Sequence, residues 1–299
     1  MVKKKQAVII DGRKVAAELK ETIKKEVSKM MDNDDDAPHL AAVLVGDDPA
    51  SETYVAAKEK AANTVGMISS TYRYPAGITE EELLEVVDYL NNDDEIDGYI
   101  VQLPLPKHID ENKIIHRINP AKDVDGFTPE NVGKMVLGQP AFLSATPYGI
   151  MELLKYYKIP VTGKHCVVLG RSNIVGRPMS ILLSQKNETA NATVTLCHSA
   201  TENLEEITRT ADILICALGK PQFVKADMVK DGVVVIDVGI HRIKDETKKS
   251  GYRLVGDVDF NEVVKKASFI SPVPGGVGPM TIAMLLKNTL LAYKKEIYS

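Results

Sequence analysis

The chain has 299 residues, 44% of them hydrophobic and 26% charged, which is enough for two domains with substantial buried cores. Its 37 basic and 41 acidic side chains leave a net charge of -4 with no basic stripe, so neither nucleic acid nor an anionic membrane is expected as a partner. The basic opening Met1 to Lys5 is followed only by the short apolar run Ala7 to Ile10 before Asp11-Gly12, too brief for a signal core or a membrane span.

Helical and strand periods alternate from residue 12 onward. Val15, Leu19, Ile23, Val27 and Met30 recur at helical spacing and predict a helix over 12–31. The acidic run Asp32 to Asp36, closed by Pro38, reads as a solvated loop. Leu40 to Val45 is a continuous apolar strand, a helix is expected over about 51–65, and Met67 to Tyr74 supplies the next strand. Thr79 and Glu82 stand at capping-box spacing ahead of the apolar positions Leu83, Val86, Val87 and Leu90. Tyr99-Ile100-Val101 then forms a short strand that runs into Gln102-Leu103-Pro104-Leu105-Pro106. This β-α-β-α-β order predicts a mostly parallel sheet.

The second half repeats the pattern. His165 to Leu169 is a strand meeting Gly170, and further strands are expected over 192–197, 212–218, 232–238 and 269–271, joined by shorter helices. A closing helix over about 279–295 carries Pro279 in its first turn. The expected fold class is α/β with two domains and an active-site cleft between them. The boundaries are 1–148, to which the helix within 279–299 returns, and 149–278 for a Rossmann-type nucleotide-binding domain.

Three cysteines, Cys166, Cys197 and Cys216, cannot close a disulfide framework, and all lie in or beside apolar strand-like runs, as buried reduced thiols do. A reducing cytoplasm fits them. The six histidines show no metal-ligand spacing, so no metal site is expected.

Gly170-Arg171-Ser172-Asn173-Ile174-Val175-Gly176 sits where a strand turns into a helix. Glycines there let the backbone approach a diphosphate, and a helix start offers free amide donors. The spacing departs from G-x-G-x-x-G, so a purely structural turn is the competing reading. At the end of the following strand, NAD-binding folds commonly place an acid for the ribose 2′-hydroxyl. Here Cys197-His198-Ser199 stands instead, with Arg171 and Ser199 available to a 2′-phosphate, which favours NADP over NAD.

Ser51, Tyr54 and Lys58 are spaced to share one helix face, just after the Leu40 to Val45 strand end where ligands gather in α/β sheets. A solvated helix face is the competing reading of that triplet. Gln102, at the next strand end, and Asp125, in Asp123-Val124-Asp125-Gly126, are candidates for the same cleft. Asp123 reads as a loop-stabilising acid.

Five segments occur in this order: Ser51-x-x-Tyr54-x-x-x-Lys58, Val101 to Pro106, Lys122 to Gly126, Gly170-Arg171-Ser172-x-x-Val175-Gly176, and Pro272-Val273-Pro274-Gly275-Gly276-Val277-Gly278-Pro279-Met280-Thr281. Together they resemble the bifunctional methylenetetrahydrofolate dehydrogenase/methenyltetrahydrofolate cyclohydrolase family. The resemblance implies NADP-dependent oxidation of methylenetetrahydrofolate, then hydrolysis of the methenyl product, by a cytoplasmic homodimer acting on tetrahydrofolate derivatives. It implies that Lys58, Gln102, Tyr54 and Asp125 carry the chemistry in a folate-binding N-terminal domain. Val101, Leu103, Pro274, Gly275 and Gly276 would complete the substrate site, and Gly170, Arg171, Ser172, Ser199 and Ile240 would bind the cofactor. A dehydrogenase without the hydrolase, an NAD-preferring enzyme, and a non-catalytic nucleotide-binding scaffold are the competing readings.

Overall fold

The structure is a computed structural model and describes residues 6–33, 35–248 and 251–298. The basic opening and Asp34 of the acidic run lie outside the described residues. Two compact units result, one comprising Ala16–Ala145 with Ile282–Ser299, the other Met1–Val15 with Thr146–Thr281.

The chain opens with β1 (Val8–Ile9) and α1 (Gly12–Met31), then alternates through β2 (His39–Val45), α2 (Pro49–Thr64), β3 (Ile68–Tyr74), α3 (Glu80–Asn92) and β4 (Gly98–Val101). The strands β2 to β4 form a parallel sheet in the order β3-β2-β4. The central strand β2 is buried along all but its first residue, which is why it reads as an unbroken apolar run. Helix α3 starts on the expected capping box, with Thr79 and Glu82 each bonded to the other's backbone N–H. Three further helices, α4 (Glu111–Arg117), α5 (Pro129–Val136) and α6 (Ala145–Tyr156), lead into the second half.

There β5 (His165–Leu169), α7 (Gly176–Ser184), β6 (Thr193–Cys197), α8 (Leu204–Thr210), β7 (Ile213–Cys216) and β8 (Val234–Asp237) follow. An antiparallel pair, β9 (His241–Lys244) and β10 (Tyr252–Val255), precedes α9 (Phe260–Val263), β11 (Phe269–Ile270) and the last helix, α10 (Val277–Tyr293). The larger sheet is parallel throughout, in the order β1-β11-β8-β7-β5-β6. The chain leaves β5 for β6 on one side and returns to β7 on the other. That reversal opens a crevice at the strand ends beside β5, the usual ligand position in such sheets.

The observed units depart from the expected boundaries in two places. Val8–Ile9, expected with the first domain, pairs in parallel with Phe269–Ile270, because β11 otherwise presents an open edge. Helix α10 begins at Val277 and crosses the division at Ile282. Beyond that point its apolar residues Leu285, Leu286 and Leu290 join the core of Val27, Leu40, Val55 and Ile100.

Candidate active site

Helix α2 is phased at its start: Asp48 accepts the Ser51 N–H at 2.8 Å, and Pro49 occupies the first turn. This turns Ser51, Val55, Lys58, Ala61 and Ala62 inward. Lys58 is therefore on the buried face and not the solvated one. Tyr54 is 41% exposed, so the three residues expected on one face are not equally placed. A step of three residues is 300° around a helix, which leaves Tyr54 at the rim of the face that buries Ser51 and Lys58.

Burial pushes the Lys58 amine below the usual lysine range, with the nearby Asp125 carboxylate pulling the other way more weakly. Its Nζ donates to Gln102 Oε1 at 3.1 Å, while Gln102 Nε2 donates to the Leu103 carbonyl at 2.7 Å. The Gln102 backbone N–H in turn donates to the Val43 carbonyl of β2 at 2.9 Å. Both ends of the Gln102 amide are thus oriented, and its oxygen faces the lysine.

Asp125 is half-buried. Burial pushes its carboxyl above the usual carboxylate range; the Lys58 charge lowers it and Asp123 raises it further. The loop that carries it is tightly held. Asp123 is buried and accepts the Gly126 N–H at 2.9 Å, the Thr128 N–H at 2.7 Å and Asn131 Nδ2 at 3.0 Å, the loop-stabilising part read from the sequence. Gly126 has φ +71°, and a side chain there would meet the Phe142 carbonyl at 2.5 Å. Asn288 of α10 donates to the Val124 carbonyl within this loop at 2.8 Å and to the Leu143 carbonyl at 3.0 Å. Sequence reading missed Asn288, because only the fold shows that it faces Asp125's neighbours.

Val101 packs into the core with Val43, Val87 and Tyr99, so what it can offer a substrate is backbone, not side chain. Leu103 is half-buried, and the Leu103-Pro104 peptide is cis. Pro274, Gly275 and Gly276 belong to the other compact unit. There the Gly275 carbonyl accepts the Arg13 N–H at 3.1 Å, and a side chain at Gly12 would overlap the Gly276 carbonyl at 1.7 Å. This contact with the start of α1 was not legible in the sequence.

The glycine-rich turn after β5 opens a cavity of about 360 Å³ at the β5, β6 and β7 ends, where the sheet order reverses. Gly170, Arg171, Ser172 and Ser199 all line it. Gly170 has φ +111°, and a Cβ there would lie 2.1 Å from the Ala217 carbonyl; one on Gly176 would lie 1.9 Å from the Gly170 carbonyl. Both positions require glycine, the second so that α7 can start hard against the strand end. Ser172 Oγ accepts the Val175 and Gly176 N–H groups at 3.2 and 3.4 Å, just ahead of α7, and Ser172 also lines the cavity. Ile240 does not line this cavity; it is 40% exposed and approaches Gly278. The far wall, Leu218 with Lys220 and Phe223, was not singled out from the sequence, although Gly219 marks the end of an apolar strand.

A dinucleotide phosphate fits this cradle. The two glycines clear the backbone, Arg171 and Lys220 supply positive charge, and no lining residue is acidic. Among the described residues, no group of three or more His, Cys, Asp or Glu is placed to hold a metal ion. No helix of the described residues is long and apolar enough to cross a membrane.

Two family models match the chain: the tetrahydrofolate dehydrogenase/cyclohydrolase catalytic domain over residues 10–125, and the corresponding NAD(P)-binding domain over residues 144–297. The chain is 58% identical to the bifunctional protein FolD of Porphyromonas gingivalis over 286 residues, which covers 96% of this chain and 97% of that one. It resembles the crystal structure of the bifunctional FolD enzyme of Campylobacter jejuni with a TM-score of 0.91 and 48% identity, over 97% of this chain and 99% of that one. The Trypanosoma brucei methylenetetrahydrofolate dehydrogenase-cyclohydrolase, solved with NADP and an inhibitor, matches with a TM-score of 0.92 and 40% identity over 99% and 100% of the two chains. With both family domains matched in order, the chain belongs to the tetrahydrofolate dehydrogenase/cyclohydrolase family.

Proposed function

We propose that this protein is a bifunctional one-carbon folate enzyme. It oxidises 5,10-methylenetetrahydrofolate to 5,10-methenyltetrahydrofolate with NADP, then hydrolyses the methenyl compound to 10-formyltetrahydrofolate. The observation that carries this reading is Lys58, a buried amine with a lowered pKa, held by an oriented amide and close to a carboxylate.

NADP, when bound, accepts the hydride that leaves the methylene carbon. Loss of that hydride leaves a methenyl cation conjugated across two folate nitrogens, which water attacks. Lys58 is suited to take a proton from that water, because burial keeps a fraction of its amine neutral at lower pH than in solution. Gln102 holds Nζ in one place through the 3.1 Å bond and supplies no charge of its own. Asp125 accepts the amino and ring N–H donors of the pterin, and Tyr54, at the rim of α2, provides an aromatic wall for the ring system. On the cofactor side, Gly170 and Gly176 clear space for the diphosphate. Arg171 and Ser199 face the 2′-phosphate, and the 40% identical enzyme solved with NADP supports that choice.

Pro274 to Gly276 as part of the folate site, Ile240 as a cofactor contact, the homodimer and the cytoplasmic location are carried over from the family resemblance. The three free thiols, all buried, fit a reducing compartment. The test is turnover of methylenetetrahydrofolate with NADP or NAD, following reduced cofactor and one-carbon products together. Reduced NADP with 10-formyltetrahydrofolate above the spontaneous rate is the expected result. Reduced cofactor with methenyl product alone would leave a monofunctional dehydrogenase, and cofactor binding without turnover would leave a scaffold.

A further inference from the structure

Two buried carboxylates lie behind the nucleotide cavity. Asp237, at the end of β8, and Asp257, just after β10, are 3% and 0% exposed. Burying a carboxylate is costly unless its lone pairs are filled, so each such group asks what it holds.

Asp257 holds a wall of the cavity. Its Oδ2 accepts the Leu218 and Gly219 N–H groups at 2.6 and 3.2 Å, and its Oδ1 accepts the Lys220 N–H at 2.9 Å. Leu218 and Lys220 are cavity-lining residues, and the Lys220 ammonium lies 5.2 Å from the centre of the Phe223 ring on the same wall. Three successive amides drawn onto one carboxylate fix the turn that follows β7. His241 Nε2 donates to the same Oδ1 at 2.8 Å, and His241, Asp257 and the wall belong to one compact unit.

The carboxylate is itself positioned from behind. Asp237 Oδ1 accepts the Asp257 N–H at 2.9 Å and its Oδ2 accepts the Val258 N–H at 3.0 Å, while the Asp237 N–H donates to Ser271 Oγ at 2.8 Å. Two glycines make room for the pair. A Cβ on Gly256 would fall 1.9 Å from Asp237 Oδ2, and one on Gly239 would fall 2.4 Å from Asp257 Oδ1. Asp237-Val238-Gly239-Ile240-His241 and Gly256-Asp257 are thus two halves of one device.

We infer that Asp257, oriented by His241, is the positioning residue of the nucleotide cavity, setting the Leu218–Lys220 wall against which the cofactor binds. The inference rests on the reading of this cavity as the NADP site. Neither residue lines the cavity; each acts through the backbone of the wall. Removing the His241 donor leaves Asp257 with one hydrogen bond fewer and a freer choice among its remaining partners. The wall then samples other positions, and binding weakens without any change in the chemistry at Lys58.

The test uses the full chain and two substitutions, His241→Leu, which removes the donor, and His241→Gln, whose amide N–H reaches as far as Nε2. NADP affinity is read by titration calorimetry, and methenyltetrahydrofolate hydrolysis is read without cofactor. In the Leu variant the NADP dissociation constant is expected to rise about tenfold, the size of one lost hydrogen bond to a charged group. The Gln variant is expected to recover most of that affinity, and hydrolysis is expected to stay within about twofold of the parent in both, on the additivity of distant sites. Unchanged affinity in the Leu variant overturns the inference. So does a parallel loss of binding and hydrolysis that Gln does not repair, since that pattern belongs to a general structural role. If the Leu variant does not fold, His241→Asn takes its place, its donor being too short to reach Asp257; affinity equal to that of the Gln variant overturns the inference. A parent chain that binds no NADP refutes the cofactor reading instead.

Discussion

The Lys58 centre and the nucleotide cavity are built on the same topological feature, a parallel strand whose neighbours lie on both sides, yet they depend on opposite kinds of residue. At Lys58 the essential property belongs to a side chain. A buried face of α2 strips water from an amine, and Gln102 and Asp125 decide where the remaining charge and proton sit. At the cavity the essential property belongs to the backbone. Gly170 and Gly176 contribute the absence of atoms, and Asp257 contributes by holding three N–H groups still. The first centre should therefore fail chemically while the protein still folds and binds cofactor. The second should fail sterically, with stability and cofactor binding falling together.

The largest effect expected of a single change is at Lys58. Lys58→Ala removes the proton acceptor and is expected to slow methenyltetrahydrofolate hydrolysis by about 10³-fold or more, within the range of general acid–base contributions. NADP affinity, measured by calorimetry, should stay within about twofold of the parent. Hydrolysis at the parental rate would remove Lys58 from its role. Because the substitution also takes a donor from Gln102 Oε1 and a positive charge from beside Asp125, some thermal stability should be lost with it, and hydrolysis is compared below the transition.

Gly176→Ala is the counterpart in the cavity. A methyl group 1.9 Å from the Gly170 carbonyl has no flexible side chain to push aside, so α7 must shift from the β5 end. We expect a destabilisation of about 1–3 kcal/mol, typical of overpacking, seen as a lower melting temperature. NADP binding should fall with it, while hydrolysis without cofactor is kept at temperatures below the transition. A variant that binds NADP normally would show that the helix start is not part of the cradle. Arg171→Ala is gentler, because the side chain is exposed and no backbone depends on it. It should weaken NADP by about tenfold to a hundredfold, the scale of a charge-assisted contact, and NAD much less. Equal losses for the two cofactors would move Arg171 from the 2′-phosphate to the diphosphate.

The same contrast explains what could be read from the sequence. Strands β2, β5, β7 and β8 were legible because parallel strands buried on both faces are continuous apolar runs, and α3 because its capping box is a local signal. The hairpin of β9 and β10 was not, since His241–Lys244 alternates half-buried and exposed residues and reads as polar. β1 was taken only for a short apolar run because its partner, Phe269–Ile270, is some 260 residues away in sequence and pairing at that range leaves no local trace. At the sites, motif residues such as Lys58, Gln102, Gly170 and Arg171 stood out by type and spacing. Tyr54, read as sharing one helix face with Ser51 and Lys58, stands at the rim of that face, because a spacing of three turns a side chain 60° from its neighbour. The supporting residues did not stand out at all. Asn288, Asp237, Asp257 and His241 act through hydrogen bonds that only the folded chain brings together.

The finest test of the contrast is the pH dependence of hydrolysis. Burial lowers the Lys58 pKa from its value in solution, so the protonated amine is the form the folded protein disfavours. If neutral Lys58 accepts the proton from water, the rate constant should rise with pH by at most about tenfold per unit and level off at a pH below the usual lysine range. Asp125 supplies the opposing influence, holding the ammonium form on the lysine while it is ionised. In Asp125→Asn that support is gone, so the plateau should begin at lower pH than in the parent, even if folate binding is weaker and higher substrate concentrations are needed. A profile shifted to higher pH would reverse the sign of the coupling and with it the assignment of Lys58 as base. Arg171→Ala and His241→Leu, which act in the cofactor unit, should leave the midpoint of this profile where it is in the parent. A profile that moved with either of them would mean that the two centres share a titration, and the division into a side-chain site and a backbone site would no longer describe the protein.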